Sequence, residues 1–271
     1  MNERIIRTLA EKDLREVAKN RIVVFGAVTL AVVFAIGLPL FITQVPAITT
    51  GSNTTASYEE VAAMIPSDLT EQMQTLTPQQ LPIVLMLGYL MAPLFLVLPM
   101  MLSSLIAAEA FVGEKERKTL EALLYTPATD AELFTGKVLA SAVPGVLYAW
   151  TSFAVYALVT NIAGLSVMGR FWFPTGVWWV LMLWVTPAVA LLGVSATVLV
   201  SSKVSTFMEA YQASGILVVV IIALMVGQMT GLLFISPFVA LAIGCIFFAV
   251  DAGLIWLGIQ IFSRSELISR I

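Results

Sequence analysis

Histidine is missing from the 271 residues, cysteine occurs once, and charge is scarce. Each shortage closes off a class of chemistry. Without histidine the chain lacks the commonest general base and the commonest protein metal ligand. Cys245 stands alone in an apolar run, so it forms no internal disulfide and reads as a small buried hydrophobe. Charged residues make up 11% of the chain, where a soluble domain carries about 25%. The net charge of −3 offers no basic surface to a nucleic acid. A phosphate-cradling P-loop is also absent. Its nearest approach, Gly113 to Thr119, has Arg117-Lys118-Thr119 where the second glycine, lysine and hydroxyl residue would stand. No G-x-S-x-G or H-E-x-x-H motif is present and no second acid lies within an apolar span, which argues against an intramembrane enzyme.

What the chain has is apolar sequence: 59% hydrophobic residues and a mean hydropathy of +0.97. The little charge is clustered, as in a polytopic membrane protein. Residues 22–58, 81–108, 138–169 and 171–202 carry no charge, and between Glu209 and Arg264 only Asp251 does. A helix needs roughly 20 apolar residues to cross the hydrocarbon. The first four runs hold one span each, and the last holds two with a turn near 231–237. The pattern predicts an all-α integral membrane protein in a single domain, 1–271. Its spans fall near 22–43, 82–108, 137–161, 174–200, 210–231 and 238–262. The first apolar stretch, about 22 residues, exceeds a signal-peptide core of about 7 to 15, so it reads as a retained span.

Orientation follows from the basic residues. With the N-terminus in the cytoplasm, thirteen of the fourteen Lys and Arg lie inside and only Arg170 outside. The expectation is a multi-pass protein of the plasma membrane with both termini cytoplasmic. Phe171, Trp172, Phe173, Trp178 and Trp179 then fall at the outer interface, where amphipathic rings settle.

The segments outside the spans differ in character. In the arm, 1–20, Ile5, Ile6, Leu9, Ala10, Leu14 and Val17 share one side of a helical wheel. Arg4, Arg7, Lys12, Arg15 and Lys19 share the other, with Asp13 and Glu16 intruding on the apolar side. This is the pattern of an amphipathic helix lying on the inner membrane surface, or of a plain basic anchor that sets topology. The outer loop, 44–80, carries only acidic charges and reads as solvated surface. Its Asn53-Thr54-Thr55 triplet matches a glycosylation acceptor.

The densest charge lies in the cytoplasmic segment 109–136, between spans two and three. Glu114 to Tyr125 is rich in helix formers, with Leu120, Leu123 and Leu124 as an apolar stripe. Thr126-Pro127 ends that helix, because the residue before proline is pushed out of the helical region. Thr129-x-x-Glu132 is a capping box that starts the next helix, which runs through Gly136-Lys137 into span three. A short exposed helix, leucine-bearing on one side and charged on the other, suits docking. The leucines fill a partner's groove and the charges set register.

These residues resemble the signature of the ATP-binding-cassette type-2 permease family. The matching positions are Glu114, Glu116, Thr119, Leu120, Glu121, Leu123, Leu124, Thr126, Pro127, Gly136 and Lys137. Lys118 departs from the glycine that family members often carry. The layout of basic arm, six spans and signature between spans two and three is similar as well. The resemblance implies the permease subunit of an ABC exporter, a transport subunit and not an enzyme. Its coupling helix would dock a separate P-loop ATPase through Glu114, Glu116, Arg117, Thr119, Leu120, Glu121, Leu123 and Leu124. The basic arm would be the interfacial helix beside it. The resemblance further implies a second permease copy, identical or not, with ATP and magnesium held by the ATPase and no cofactor on this chain. The Phe-, Met- and Leu-rich spans suit a hydrophobic or lipid-like substrate.

Asp251 is the one charge deep in a span. It marks either a cation or proton site, as an ion-coupled transporter or channel would use, or a carboxyl held by nearby hydroxyls or reaching the cytoplasmic interface. Glu109, at the end of span two, is placed to pair with Lys137 or an arm arginine. Pro93, Pro99, Pro144 and Pro187 interrupt spans two to four. Gly227-x-x-x-Gly231 permits close helix packing.

Overall fold

The computed structural model describes residues 19, 21–44, 76–77, 79–113, 116, 130–201, 203–204, 206–230 and 232–261. Among them are six helices long and apolar enough to cross a membrane: α1 (Val24–Gln44), α2 (Gln80–Gly113), α3 (Glu132–Met168), α4 (Gly176–Ser201), α5 (Phe207–Met229) and α6 (Pro237–Gly258). No strand occurs among the described residues. The expected six-helix membrane architecture is therefore present.

The helices alternate, so the bundle has two ends. At one, the Phe111 and Phe134 rings meet at 5.9 Å, and Ala108 and Val112 pack against Ala210. This charged end also carries Glu109, Glu116, Lys137 and Lys203. At the other, the aromatic end, Gln80 donates to the Val167 carbonyl and the Tyr89 and Phe234 rings lie 5.3 Å apart.

Burial divides the bundle. In their most apolar stretches α2 is 67% buried, α4 61% and α3 44%, against 17% for α1, 17% for α5 and 22% for α6. The first three form the centre, and the others present apolar faces outward. Glycine allows the central helices to close on one another. An added Cβ at Gly145 of α3 would lie 1.9 Å from Ser103 Oγ and 2.9 Å from the Pro99 carbonyl oxygen. At Gly193 of α4 it would lie 2.7 Å from Ser104 Oγ and 2.8 Å from the Met100 carbonyl oxygen. Successive residues of α2 are thus gripped from two sides by backbones that only glycine lets so near.

Three wide π-turns each precede a proline: Val33–Gly37 before Pro39, Val84–Leu90 before Pro93, and Leu181–Val185 before Pro187. Proline has no N–H, and its ring presses on the carbonyl four residues back. A widened turn absorbs that clash without breaking the span. Pro144, by contrast, sits in unbroken α-helix. The carbonyls of the widest π-turn draw donors from other helices. Tyr156 Oη donates to Leu87 at 2.7 Å, Trp178 Nε1 to Gly88 at 2.8 Å and Gln228 Nε2 to Tyr89 at 3.1 Å. In α4 the Met182 carbonyl accepts from Trp150 Nε1 at 2.8 Å.

Several expectations are corrected in detail. Trp178 and Phe173 do not belong to an interface belt. Both are buried, and the Trp178 ring meets Phe95, Phe153, Tyr156 and Phe173 at centroid distances of 5.0–5.5 Å. Phe171 and Trp179 do face outward. The third span continues to Met168 instead of stopping near 161. Asn161 there accepts from the Trp172 and Phe173 amides at 3.0 and 3.2 Å and donates to the Phe173 carbonyl at 2.7 Å, pinning the turn after α3. Cys245 is exposed on the outer face of α6 and not buried. Gly227 packs against Leu233 of the α5–α6 turn, a Cβ there lying 3.3 Å from the Leu233 Cβ; Gly231 is outside the described residues.

The glycine grip generates a stability prediction. Gly145→Val and Gly193→Val should each lower the melting temperature of the detergent-solubilised protein, by an overpacking cost of about 1–3 kcal/mol. Gly253→Ala, where a Cβ meets nothing within 4 Å, should leave it unchanged.

Candidate functional site at the charged end

The described part of α2 closes with a π-turn, Glu109–Gly113, that no proline follows. Close packing within it is tight enough that a Cβ on Gly113 would lie 3.2 Å from the Glu109 carboxylate carbon. α3 starts beside it. The described residues are helical from Asp130 through Gly136-Lys137 into the span, and Thr129, expected to cap this helix, lies outside them. Lys137 is only 2% exposed. Its Nζ donates to the Ala110 carbonyl and sits 5.5 Å from the Phe111 ring centre. A buried ammonium has to be bonded, and this one clasps the end of α2 to the start of α3. Ser141 Oγ donates to the Lys137 carbonyl at 2.8 Å one turn later.

α5 completes the site. Thr206 Oγ1 accepts from the Glu209 amide, and the Glu209 carboxylate accepts from the Thr206 amide, a reciprocal capping box. The helix therefore starts at Phe207, three residues before the expected 210. Thr206-x-x-Glu209 was the sequence signal that would have placed this start. The Phe207 amide is donated elsewhere, to Glu116 Oε2 at 2.9 Å, 91 residues away along the chain.

Of the residues expected to dock a partner, Glu116 is the described one: helical, exposed and bonded to α5. Glu114, Arg117, Thr119, Leu120, Glu121, Leu123 and Leu124 lie outside the described residues. So do Arg4, Arg7, Lys12 and Arg15 of the arm, whose Lys19 is helical and exposed.

Between α1, α2, α3 and α5 lies a cavity of about 340 Å³. Gly26, Ala27 and Leu30 line it from α1; Leu98, Met101, Leu102 and Leu105 from α2; Tyr148 from α3; Phe207, Met208 and Tyr211 from α5. The Tyr148 hydroxyl is turned away from free solvation, donating to the Ala27 carbonyl at 2.6 Å. The walls are otherwise almost wholly apolar. The volume is in the range of small-molecule sites, about 300–1,000 Å³. No sequence pattern announced this cavity, because its walls come from four helices whose apolar residues are not periodic.

Asp251 lies apart from both features. It is 2% exposed, on the face of α6 that also buries Ala240, Gly244, Phe247 and Gly258 toward the bundle. Neither carboxyl oxygen has a hydrogen-bond partner among the described residues. No hydroxyl among the described residues holds it.

A six-helix bundle with apolar outer faces is a multi-pass membrane protein. A family model described as ABC-2 family transporter protein matches residues 7–239. No curated relative matches the chain. The chain belongs to the ABC-2 transporter family and is a permease subunit of an ABC transporter. Membership implies association with an ATP-binding-cassette ATPase.

Asp251 yields a prediction from burial alone. A carboxyl at the centre of a membrane helix costs about 2.5–3.5 kcal/mol on insertion scales. Asp251→Leu should therefore raise the melting temperature of the purified protein in thermal-shift measurements. A lowered value would mean that the carboxyl holds a bound group.

Proposed function

We propose that this chain moves a hydrophobic or lipid-like substrate outward through the plasma membrane, powered by ATP and magnesium held on separate P-loop ATPase subunits. The charged end faces the cytoplasm, with both termini inside. The segment 114–125 is the coupling helix: Leu120, Leu123 and Leu124 enter the ATPase groove. Glu114, Glu116, Arg117, Thr119 and Glu121 set the register. The basic arm, with Arg4, Arg7, Lys12, Arg15 and Lys19, lies on the inner leaflet beside it. Two permease copies, identical or related, work with two ATPases.

The observation that carries this reading is the convergence at the charged end. The end of α2 meets the start of α3 through Lys137 and the start of α5 through Ala210, and Glu116 bonds α5 beside them. A push on the 114–125 segment thus reaches three helices, all of which contribute to the cavity wall. The cavity offers an acyl chain contact area and almost no hydrogen-bonding groups, which suits an apolar substrate and disfavours a hydrated one.

Two measurements test the proposal. Tagged protein extracted in mild detergent should bring down a P-loop ATPase in near-equal amount, and Leu123→Asp or Glu121→Lys should remove it while the permease still elutes as a single folded species. Retention of the ATPase by both variants would refute the docking assignment. In nanodiscs, Met101→Trp, which fills the cavity, should abolish stimulation of ATP hydrolysis by apolar substrates without reducing basal hydrolysis. Full stimulation in that variant would move the substrate path elsewhere.

A further inference from the structure

Helix α5 is built in two parts. Phe207–Ser214 is α-helical, Gly215–Leu217 is a 3-10 turn, and regular helix resumes at Val218. A Cβ on Gly215 would meet nothing within 4 Å, so the break has room around it. The first part touches other helices at both ends. At its end, Ser214 Oγ and Thr197 Oγ1 of α4 share a hydrogen bond of 2.7 Å, both buried. At its start two links run to the end of α2 and to the segment just beyond it. Ala210 packs on Ala108 and Val112, and the Phe207 amide donates to Glu116. The outer side of the same short segment presents Phe207, Met208 and Tyr211 to the cavity.

This arrangement has a directional consequence. The first amides of a helix have no partners in the helix and carry its positive dipole end, so a carboxylate is favoured there. The capping box serves the amides of Thr206 and Glu209. Phe207 is left for an outside acceptor, and the acceptor comes from the segment after α2. The covalent path from 116 runs only to α2 and α3; the hydrogen bond adds α5. The Thr197–Ser214 bond holds the other end of Phe207–Ser214 to α4, so displacement of its start is a tilt about the Gly215–Leu217 turn.

We propose that Glu116 is a tie that makes Phe207–Ser214 follow the docking segment, so that each movement of that segment tilts one wall of the cavity. This rests on the docking assignment for residues 114–125 and adds the way it controls the substrate site. Glu116 is a positioning residue in this scheme, acting through α5.

The donor can be removed without touching Glu116. Phe207→Pro deletes the N–H at the first helical position, where proline is well tolerated, and Thr206 has the extended backbone (φ −120°, ψ 150°) that a residue before proline adopts. Phe207→Ala deletes the ring and keeps the N–H. Both are made in a Cys245→Ser background with spin labels at Leu139→Cys in α3 and Gln212→Cys in α5, both exposed positions. The complete complex with its co-purified ATPase is measured in nanodiscs, without nucleotide and after trapping with ATP, magnesium and vanadate. The 139–212 distance should shift on trapping in the parental protein and in Phe207→Ala, and the shift should be lost in Phe207→Pro. A shift retained in Phe207→Pro overturns the tie. So does a parental distance that does not change while the ATPase is bound and hydrolysing, and in that case the docking assignment still stands. Failure of the ATPase to co-purify with the parental protein removes the docking assignment and the tie with it. If Phe207→Pro does not fold, the α-hydroxy analogue of phenylalanine at 207 removes the same N–H, keeps the ring and carries the same expectation.

Discussion

Close contact of α2 with α3 at Gly145 and with α4 at Gly193 is the constraint on which the rest of the bundle depends. In lipid, burying apolar surface between helices gains little over leaving it in the hydrocarbon, so association rests on packing and interhelical hydrogen bonds. The two glycines bring backbones near enough for that packing to be dense, and Ser103 and Ser104 fill the narrow gap. Three central helices then behave as one block. α1, α5 and α6 lean on it with much less of their surface covered.

Hydrogen bonds across the bundle follow the prolines. Each π-turn before Pro39, Pro93 or Pro187 widens the helix and leaves its carbonyls open to outside donors. Tyr156, Trp178, Gln228 and Trp150 supply them in the second and third cases. Unsatisfied backbone in hydrocarbon costs several kcal/mol per group, so Tyr156, Trp178 and Gln228 hold α3, α4 and α5 against α2, and Trp150 holds α3 against α4. The Trp178 cluster thickens the aromatic end around the same turn. The charged end has few such staples among the described residues; Lys137 clasps α2 to α3, and Glu116 reaches α5 through an exposed bond.

Much of this was legible in the chain. Charge-free runs locate six spans, because a charge in hydrocarbon is expensive and its absence over 20 residues or more is informative. The inward turn of Trp178 was not legible, because a span that is apolar on every side carries no record of which side is covered. The wide turns were half legible: prolines mark the trouble, but which helix supplies the missing donor is settled only by packing. The bond from Phe207 to Glu116 uses a backbone amide, which every residue but proline has, so composition could not reveal it. The short signal Thr206-x-x-Glu209 would have exposed the free amide beside it. Asp251 was visible as an oddity, and its lack of a partner among the described residues needed the fold.

The central claim is that residues 114–125 are where a separate ATPase meets this permease. The most direct measurement is photocrosslinking in native membranes with a benzophenone amino acid at position 123, identifying the adduct by mass spectrometry. The account predicts an adduct with a P-loop ATPase, absent when the same group is placed at Trp179 on the aromatic end. No such adduct at 123, or an equal one at 179, would contradict it.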